Sequence, residues 1–220
     1  EDVLGLSSDN LMNIYVTGYS TSIDLPILGA GVYQSIKSGG KDGYVAKLTP
    51  LGVPIKSTFL GGAGDDQFTC AAISSNNALY LGGYTSSLDL PLLGTAFQTT
   101  NKGLIDGMYF RLDTSLVPTY STYIGGVSTD YIYDFKIDSN QFLTFVGFTS
   151  SSDFPVTTGV AQEIIGGQSD AFVFQSDSIF NIVTNLQSTF ISKNLINVYP
   201  NPSSNTFNLG LEVYDSAKNF

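Results

Sequence analysis

One phrase recurs three times along this chain: Gly18 Tyr19 Ser20 Thr21 Ser22 Ile23 Asp24 Leu25 Pro26, then Gly83 Tyr84 Thr85 Ser86 Ser87 Leu88 Asp89 Leu90 Pro91, then Gly147 Phe148 Thr149 Ser150 Ser151 Ser152 Asp153 Phe154 Pro155. The glycines stand 65 and 64 residues apart. Gln34, Gln98 and Gln162 keep the same step, as do Asp42, Asp106 and Asp170, and Gly62 and Gly126. A fixed period constrains the fold more than any composition does, because each unit must be one supersecondary element that buries itself against its neighbours.

Within the second unit, Thr69 to Ser74 is short and apolar, Ser75 Asn76 Asn77 is turn chemistry, and Ala78 to Tyr84 is an aromatic and aliphatic run, which together predict a hairpin. A polar loop with Pro and Gly follows, from Ser86 to Ile105. The third strand is Gly107 to Leu112, where Met108, Phe110 and Leu112 alternate with Tyr109 and Arg111, and the fourth is Thr119 to Ile124, closed by Gly125 Gly126. The first unit maps on as Leu4 to Leu6, Asn13 to Tyr19, Gly43 to Leu48 and Ile55 to Leu60, with two extra residues expected in its first turn. The third maps as Phe135 to Ile137, Phe142 to Phe148, Ala171 to Phe174 and Ser188 to Ile191. Four strands in a unit of about 64 residues predict an all-β fold of propeller blades, since β-helix coils and leucine-rich units repeat every ~20–30 residues.

Composition narrows the chemistry. With 42% hydrophobic and 13% aromatic residues the chain can build a core, while only 13% of residues are charged and 23 are Gly, as strands joined by turns require. A net charge of -10 opposes binding to nucleic-acid phosphates. The absence of histidine removes every Ser-His, Cys-His and His-ligand site from this chain. Cys70 stands alone in an apolar stretch and is expected to be a small buried hydrophobe. No run of 18 apolar residues occurs.

The blocks Asn13 to Ser22, Asp24 Leu25 Pro26, Asp42 to Leu48 and Ser57 to Gly62, repeated in order three times, resemble the SBBP family of bacterial β-propeller repeats over about 190 residues. The third unit departs from the pattern, with Gln175 Ser176 where the others have Lys-Leu or Arg-Leu. The tail Val198 Tyr199 Pro200 Asn201 Pro202, followed by Thr206 to Leu211, resembles the opening of the C-terminal sorting domain of type IX secretion, a β-sandwich. Pro200 and Pro202 hold this box extended and deny it a helix. The resemblances divide the chain at 1–191, in units of about 1–62, 63–126 and 127–191, and at 192–220, a linker and partial sorting domain.

Recurrence also offers candidate sites. Asp24, Asp89 and Asp153 could form a ring of metal or sugar ligands, but an Asp before an apolar residue and Pro26, Pro91 or Pro155 is turn chemistry, its carboxylate capping backbone N–H groups. Asp42, Asp106 and Asp170 invite the same account. Gly64 Asp65 Asp66 lacks the spaced acids of an EF-hand. The Gly-Gly pairs have no following helix or Lys-Ser/Thr and read as turns, and Tyr19, Tyr84 and Phe148 as packing between blades. No catalytic residue, metal ligand or cofactor is assigned.

These readings lead to an expectation: a secreted or cell-surface bacterial scaffold or binding and adhesion module, exported by type IX secretion, its further partners an extracellular protein or polysaccharide. The alternative is an accessory propeller of an exported hydrolase or lyase whose catalytic domain lies upstream of Glu1. Because the Gly-Gly-x-x-x-Asp lead of units two and three (Gly61, Gly62, Asp66; Gly125, Gly126, Asp130) would fall before Glu1 in unit one, the chain is expected to start inside a unit. It would form an open three-blade arc with uncovered faces carrying Ile14, Val16, Phe172 and Phe174.

Overall fold

Strand-forming runs separated by polar turns every few residues leave the backbone little choice but antiparallel pairing. In the computed structural model, which describes residues 1–157 and 162–176, they form eleven strands with no helix among the described residues. The first sheet has the order β1 (Asp2–Ser8), β2 (Ile14–Ser20), β3 (Asp42–Leu48), β4 (Pro54–Leu60). The second repeats it as β5 (Asp66–Ile73), β6 (Leu79–Thr85), β7 (Asp106–Leu112), β8 (Pro118–Ile124). The third holds β9 (Asp130–Ile137), β10 (Leu143–Thr149) and β11 (Asp170–Ser176). The expected fourth strand at Ser188–Ile191 and the sorting box Tyr199–Pro202 lie outside the described residues.

The units share register as well as order. Gly18, Gly83 and Gly147 each sit fifth in the second strand, paired with Val3 and Tyr44, Phe68 and Met108, and Ile132 and Phe172. Beside each glycine the first strand carries a bulge. A side chain there would collide with backbone, since a Cβ on Gly18, Gly83 or Gly147 would stand 1.9–2.0 Å from the carbonyl oxygen of Asp2, Gln67 or Tyr131.

All five hairpins among the described residues use one turn. The N–H of its first residue bonds the carbonyl of the fifth, the N–H of the fourth bonds the carbonyl of the first, and the fourth residue has positive φ: Met12, Gly52, Asn77, Leu116 and Gln141. An oxygen on the first side chain ties the turn; Asp9, Asp113 and Asp138 each accept two backbone N–H groups, and Thr49 and Ser74 accept one. This regularity corrects the expected two-residue insertion in the first unit. Leu6 pairs with Val16 as Ala71 pairs with Leu81, so Leu6 corresponds to Ala71 rather than Ile73, and Asp9–Asn13 matches Ser74–Ala78 residue for residue.

Period-two alternation gives the second sheet two apolar faces. Phe68, Leu79, Leu81, Met108, Phe110 and Leu112 meet Tyr15, Val45 and Leu60 of the first sheet in one core. Cys70, Tyr80, Tyr109 and Tyr120 meet Ile132, Phe135, Leu143, Phe145 and Phe172 of the third in another. Gly82 faces the third sheet, where a Cβ would stand 3.1 Å from both Ile132 and Phe135. The inner strands β1, β5 and β9 are neighbours in series, β1 against β5 and β5 against β9. One expectation about exposure is corrected here. Phe172 is 8% exposed and stacks on Phe154 at 4.5 Å, and Phe174 packs against Phe97 and Phe145, because both lie on the face turned to the second sheet. Tyr133 and Val146 are the apolar residues left exposed on β9 and β10.

Candidate functional site

Between one sheet and the next the chain must leave an outer strand and enter an inner one. It does so through a buried junction built from the recurring residues. At the first junction Gly61 and Gly62 lead from β4 to Asp66 at the head of β5; at the second, Gly125 and Gly126 lead from β8 to Asp130 at the head of β9. Asp66 takes hydrogen bonds from the N–H of Gly62 at 2.8 Å, the Ser87 hydroxyl at 2.8 Å and the Thr85 hydroxyl. Asp130 takes them from the N–H of Gly126 at 2.8 Å and the Ser151 hydroxyl at 2.7 Å.

Asp89 and Asp153 act on the same junctions from the loop after the second strand. Their Oδ1 atoms accept the N–H of Ala63 at 2.8 Å and of Val127 at 2.7 Å. The carboxylates therefore cap backbone, as the sequence predicts, though across 26 residues rather than within their own turn. Asp24 is exposed and has no such partner among the described residues. The Gly-Gly pair follows from this crowding. A Cβ on Gly62 would stand 2.4 Å from Asp89 Oδ1 and one on Gly126 2.3 Å from Asp153 Oδ1.

A second set of acids closes each long loop onto the third strand. Asp42 accepts the N–H groups of Ser38 and Gly39 and the Gln34 side-chain amide at 2.7–2.8 Å. Asp106 accepts Lys102, Gly103 and Gln98 in the same way, and Asp170 accepts Gly166 and Gln162. Pro26 and Pro91 present their carbonyls to the hydroxyls of Ser57 and Ser121 on the fourth strands. Pro155 lies beside a cavity along β11.

The two acid sets meet at the junction. A Cβ on Gly61 would lie 2.5 Å from Asp66 Oδ2 and 3.2 Å from Asp42 Cγ; one on Gly125 would lie 2.8 Å from Asp130 Oδ2 and 2.7 Å from Asp106 Cγ. All four aspartates are fully buried. Burial pushes the carboxyl of Asp66 up to about 6, reinforced by Asp42, and that of Asp106 up to about 6, reinforced by Asp130. Sequence reasoning placed Asp66 and Asp130 in the Gly-Gly lead but missed their role, along with that of Ser87, Ser151 and the three glutamines. The common step of 64 or 65 residues was the available signal.

The remaining candidates fall into place around the junctions. Tyr84 meets Tyr131 edge-on at 4.5 Å, bridging the second and third sheets, and Tyr131 also contacts Phe148. Tyr19 donates to Asp2 at 2.6 Å with Lys41 over its ring. Cys70 is buried, and burial pushes its thiol up to about 12. Asp65 accepts the N–H of Lys41. No cluster of three or more potential metal ligands occurs among the described residues. No protein-family model matches the chain, and no curated protein matches it.

Proposed function

We propose that the chain is a run of β-propeller blades from an exported bacterial protein, serving as a scaffold or binding and adhesion module without catalysis of its own. The single observation that carries this reading is the use made of the recurring polar residues: Asp66, Asp89, Asp130 and Asp153 accept backbone N–H groups at the junctions between units, and Asp42 and Asp106 accept backbone N–H groups and a glutamine amide that close each long loop onto its own sheet. Stacked four-stranded sheets joined outer strand to inner strand, with inner strands in series, are the local geometry of adjacent blades. The binding partner is an extracellular protein or polysaccharide. Tyr131 and exposed Tyr133, parallel within 5° at 6.0 Å, supply aromatic surface for either.

Export belongs to the tail. The Tyr199–Pro202 box and the strand-like segment after it are read as a type IX sorting signal, addressed to the secretion machinery and leaving the protein secreted or attached at the cell surface. A periplasmic reporter carrying a complete version of this tail should reach the exterior of a type IX host. Retention in the periplasm would refute the export reading while leaving the blades untouched.

A further inference from the structure

We propose that the rings gathered at the β9 edge of the third sheet form a carbohydrate-binding site, with Tyr133 as the platform on which a neutral sugar chain stacks. The inference rests on the reading of the chain as a binding module and decides between its two kinds of partner. Tyr133 owes its position to the bulge in β9. Each first strand carries one residue with no partner opposite it, Leu4, Thr69 or Tyr133, and such a residue is released from the two-face alternation of the strand. In the second unit the Thr69 hydroxyl reaches the Ile132 carbonyl of the next sheet at 2.7 Å. A phenol ring is too large for that contact. Tyr133 instead lies along Tyr131, parallel within 5° at 6.0 Å, and stays 55% exposed.

The ring behind the platform is fixed. Tyr131 is half-buried, held edge-on by Tyr84 at 4.5 Å and against Phe148 at 5.8 Å. An aromatic surface already locked by its neighbours loses little rotamer freedom when a ligand settles on it, which removes one of the main costs of binding. The hydroxyls point to the same use. Tyr15, Tyr19 and Tyr123 donate to Asp9, Asp2 and the Ser87 carbonyl, whereas the hydroxyls of Tyr84, Tyr131 and Tyr133 have no hydrogen-bond partner among the described residues. Burial, and after it Tyr131, Tyr133 and Asp65, raise the Tyr84 hydroxyl above its ordinary range, so three phenols and one carboxylate share a neighbourhood.

Chemistry and size select sugar over protein. A pyranose presents a face of C–H groups, which suits an aromatic ring, and a rim of hydroxyls, which needs donors and acceptors close by. The stacked tyrosines supply the first, and the unpaired phenols with Asp65 the second. A protein partner needs about 800 Å² on each side around a buried apolar centre. The large apolar residues left exposed on β9 and β10 are Tyr133 and Val146, the latter at 40%, and Asp134 and Lys136 beside them form an exposed ion pair at 3.7 Å. Such a patch fits a short run of sugar units. A net charge of -10, with Asp65 and Asp134 near the rings, disfavours an anionic polymer, so the chain bound is neutral.

Affinity electrophoresis of the full chain tests this, in native gels that each carry one soluble neutral polymer (mixed-linkage β-glucan, laminarin, xylan or galactomannan) or anionic polygalacturonate. At least one neutral polymer should retard the chain, and polygalacturonate should not. Against that polymer Tyr133→Ala should weaken binding about tenfold, and Tyr133→Phe, which keeps the ring, less than about threefold. Tyr33→Ala, at an exposed tyrosine in the long loop of the first unit, should match the wild type. With the wild type alone, the ring NMR signals of Tyr131 and Tyr133 should shift on adding a hexasaccharide of the retarding polymer, while those of buried Tyr15 stay in place. Retardation that survives Tyr133→Ala, with unshifted Tyr133 signals, would overturn this site and leave the binding-module reading standing. Retardation by polygalacturonate alone would overturn the neutral ligand, and no retardation by any polymer would overturn the sugar partner in favour of an extracellular protein.

Discussion

The first and second sheets are built to one pattern and end in different environments. On the second, Leu79, Leu81, Met108, Phe110 and Leu112 are all fully buried against the sheet before them. The residues at the same register positions of the first sheet, Ile14, Val16, Tyr44, Ala46 and Leu48, have no preceding sheet among the described residues. Val3 and Leu6 next to them are 67% and 69% exposed. Of the five first-sheet residues, Ala46 is buried and Ile14, Val16, Tyr44 and Leu48 are half-buried, so the neighbouring sheet supplies the step from half-buried to fully buried. The first sheet's open face has the chemistry of a docking surface for another such sheet.

The largest expected difference between the two faces comes from core truncation. Leu81→Ala should cost about 2–5 kcal/mol in chemical denaturation, because the cavity it leaves is closed on all sides. Val16→Ala, at the equivalent site, should cost less than about 1 kcal/mol. Equal losses would mean that the first face is covered after all. Next in size is Gly125→Ala, which forces a methyl between Asp106 and Asp130 and should cost about 1–3 kcal/mol by overpacking. Gly167→Ala, with open space around it, should be near neutral.

The buried acids of the junctions give a pH signature that the open face lacks. The carboxyls of Asp66 and Asp106 titrate near 6 in the fold and near 3.9 unfolded, so the folded state binds the extra protons between these values. Their contribution is fully present below about pH 4 and is lost as pH rises through 6. The stability of the wild type relative to Asp66→Asn should accordingly fall by on the order of 2 kcal/mol from pH 4 to pH 7; a difference that is flat or rises would show that Asp66 is ionised in the fold. The smallest contrast is between Asp89→Ala, which frees the N–H of Ala63 and should cost about 0.5–1.5 kcal/mol, and Asp24→Ala, expected to change little.

How much of this could be read in advance depended on whether a residue's partner was local. Strand positions followed from alternation, as in Met108, Phe110 and Leu112, and the turn at Ser75–Asn77 from its composition. Asp89 was legible as a cap but not its target, because Ala63 lies 26 residues away and the pairing depends on how two sheets stack. A similar separation hid the role of Gln34, whose Oε1 accepts the N–H of Gly61 across 27 residues. Phe172 and Phe174 were assigned to the wrong face because alternation gives the two faces of a strand without saying which one meets the neighbour; the register with Phe145 decides it.

Among the described residues, the open face of the first sheet is an unfilled copy of the interface buried twice elsewhere in the molecule. Light scattering on the purified chain over a range of concentrations tests it most directly, with Leu6→Lys/Val16→Lys as the comparison. The wild type should show a mass above that of one chain, rising with concentration, while the double variant stays monomeric and melts within a few degrees of the wild type. A wild-type chain that remains a monodisperse monomer at every concentration and unfolds cooperatively would contradict the account, because three units would then need no further sheet.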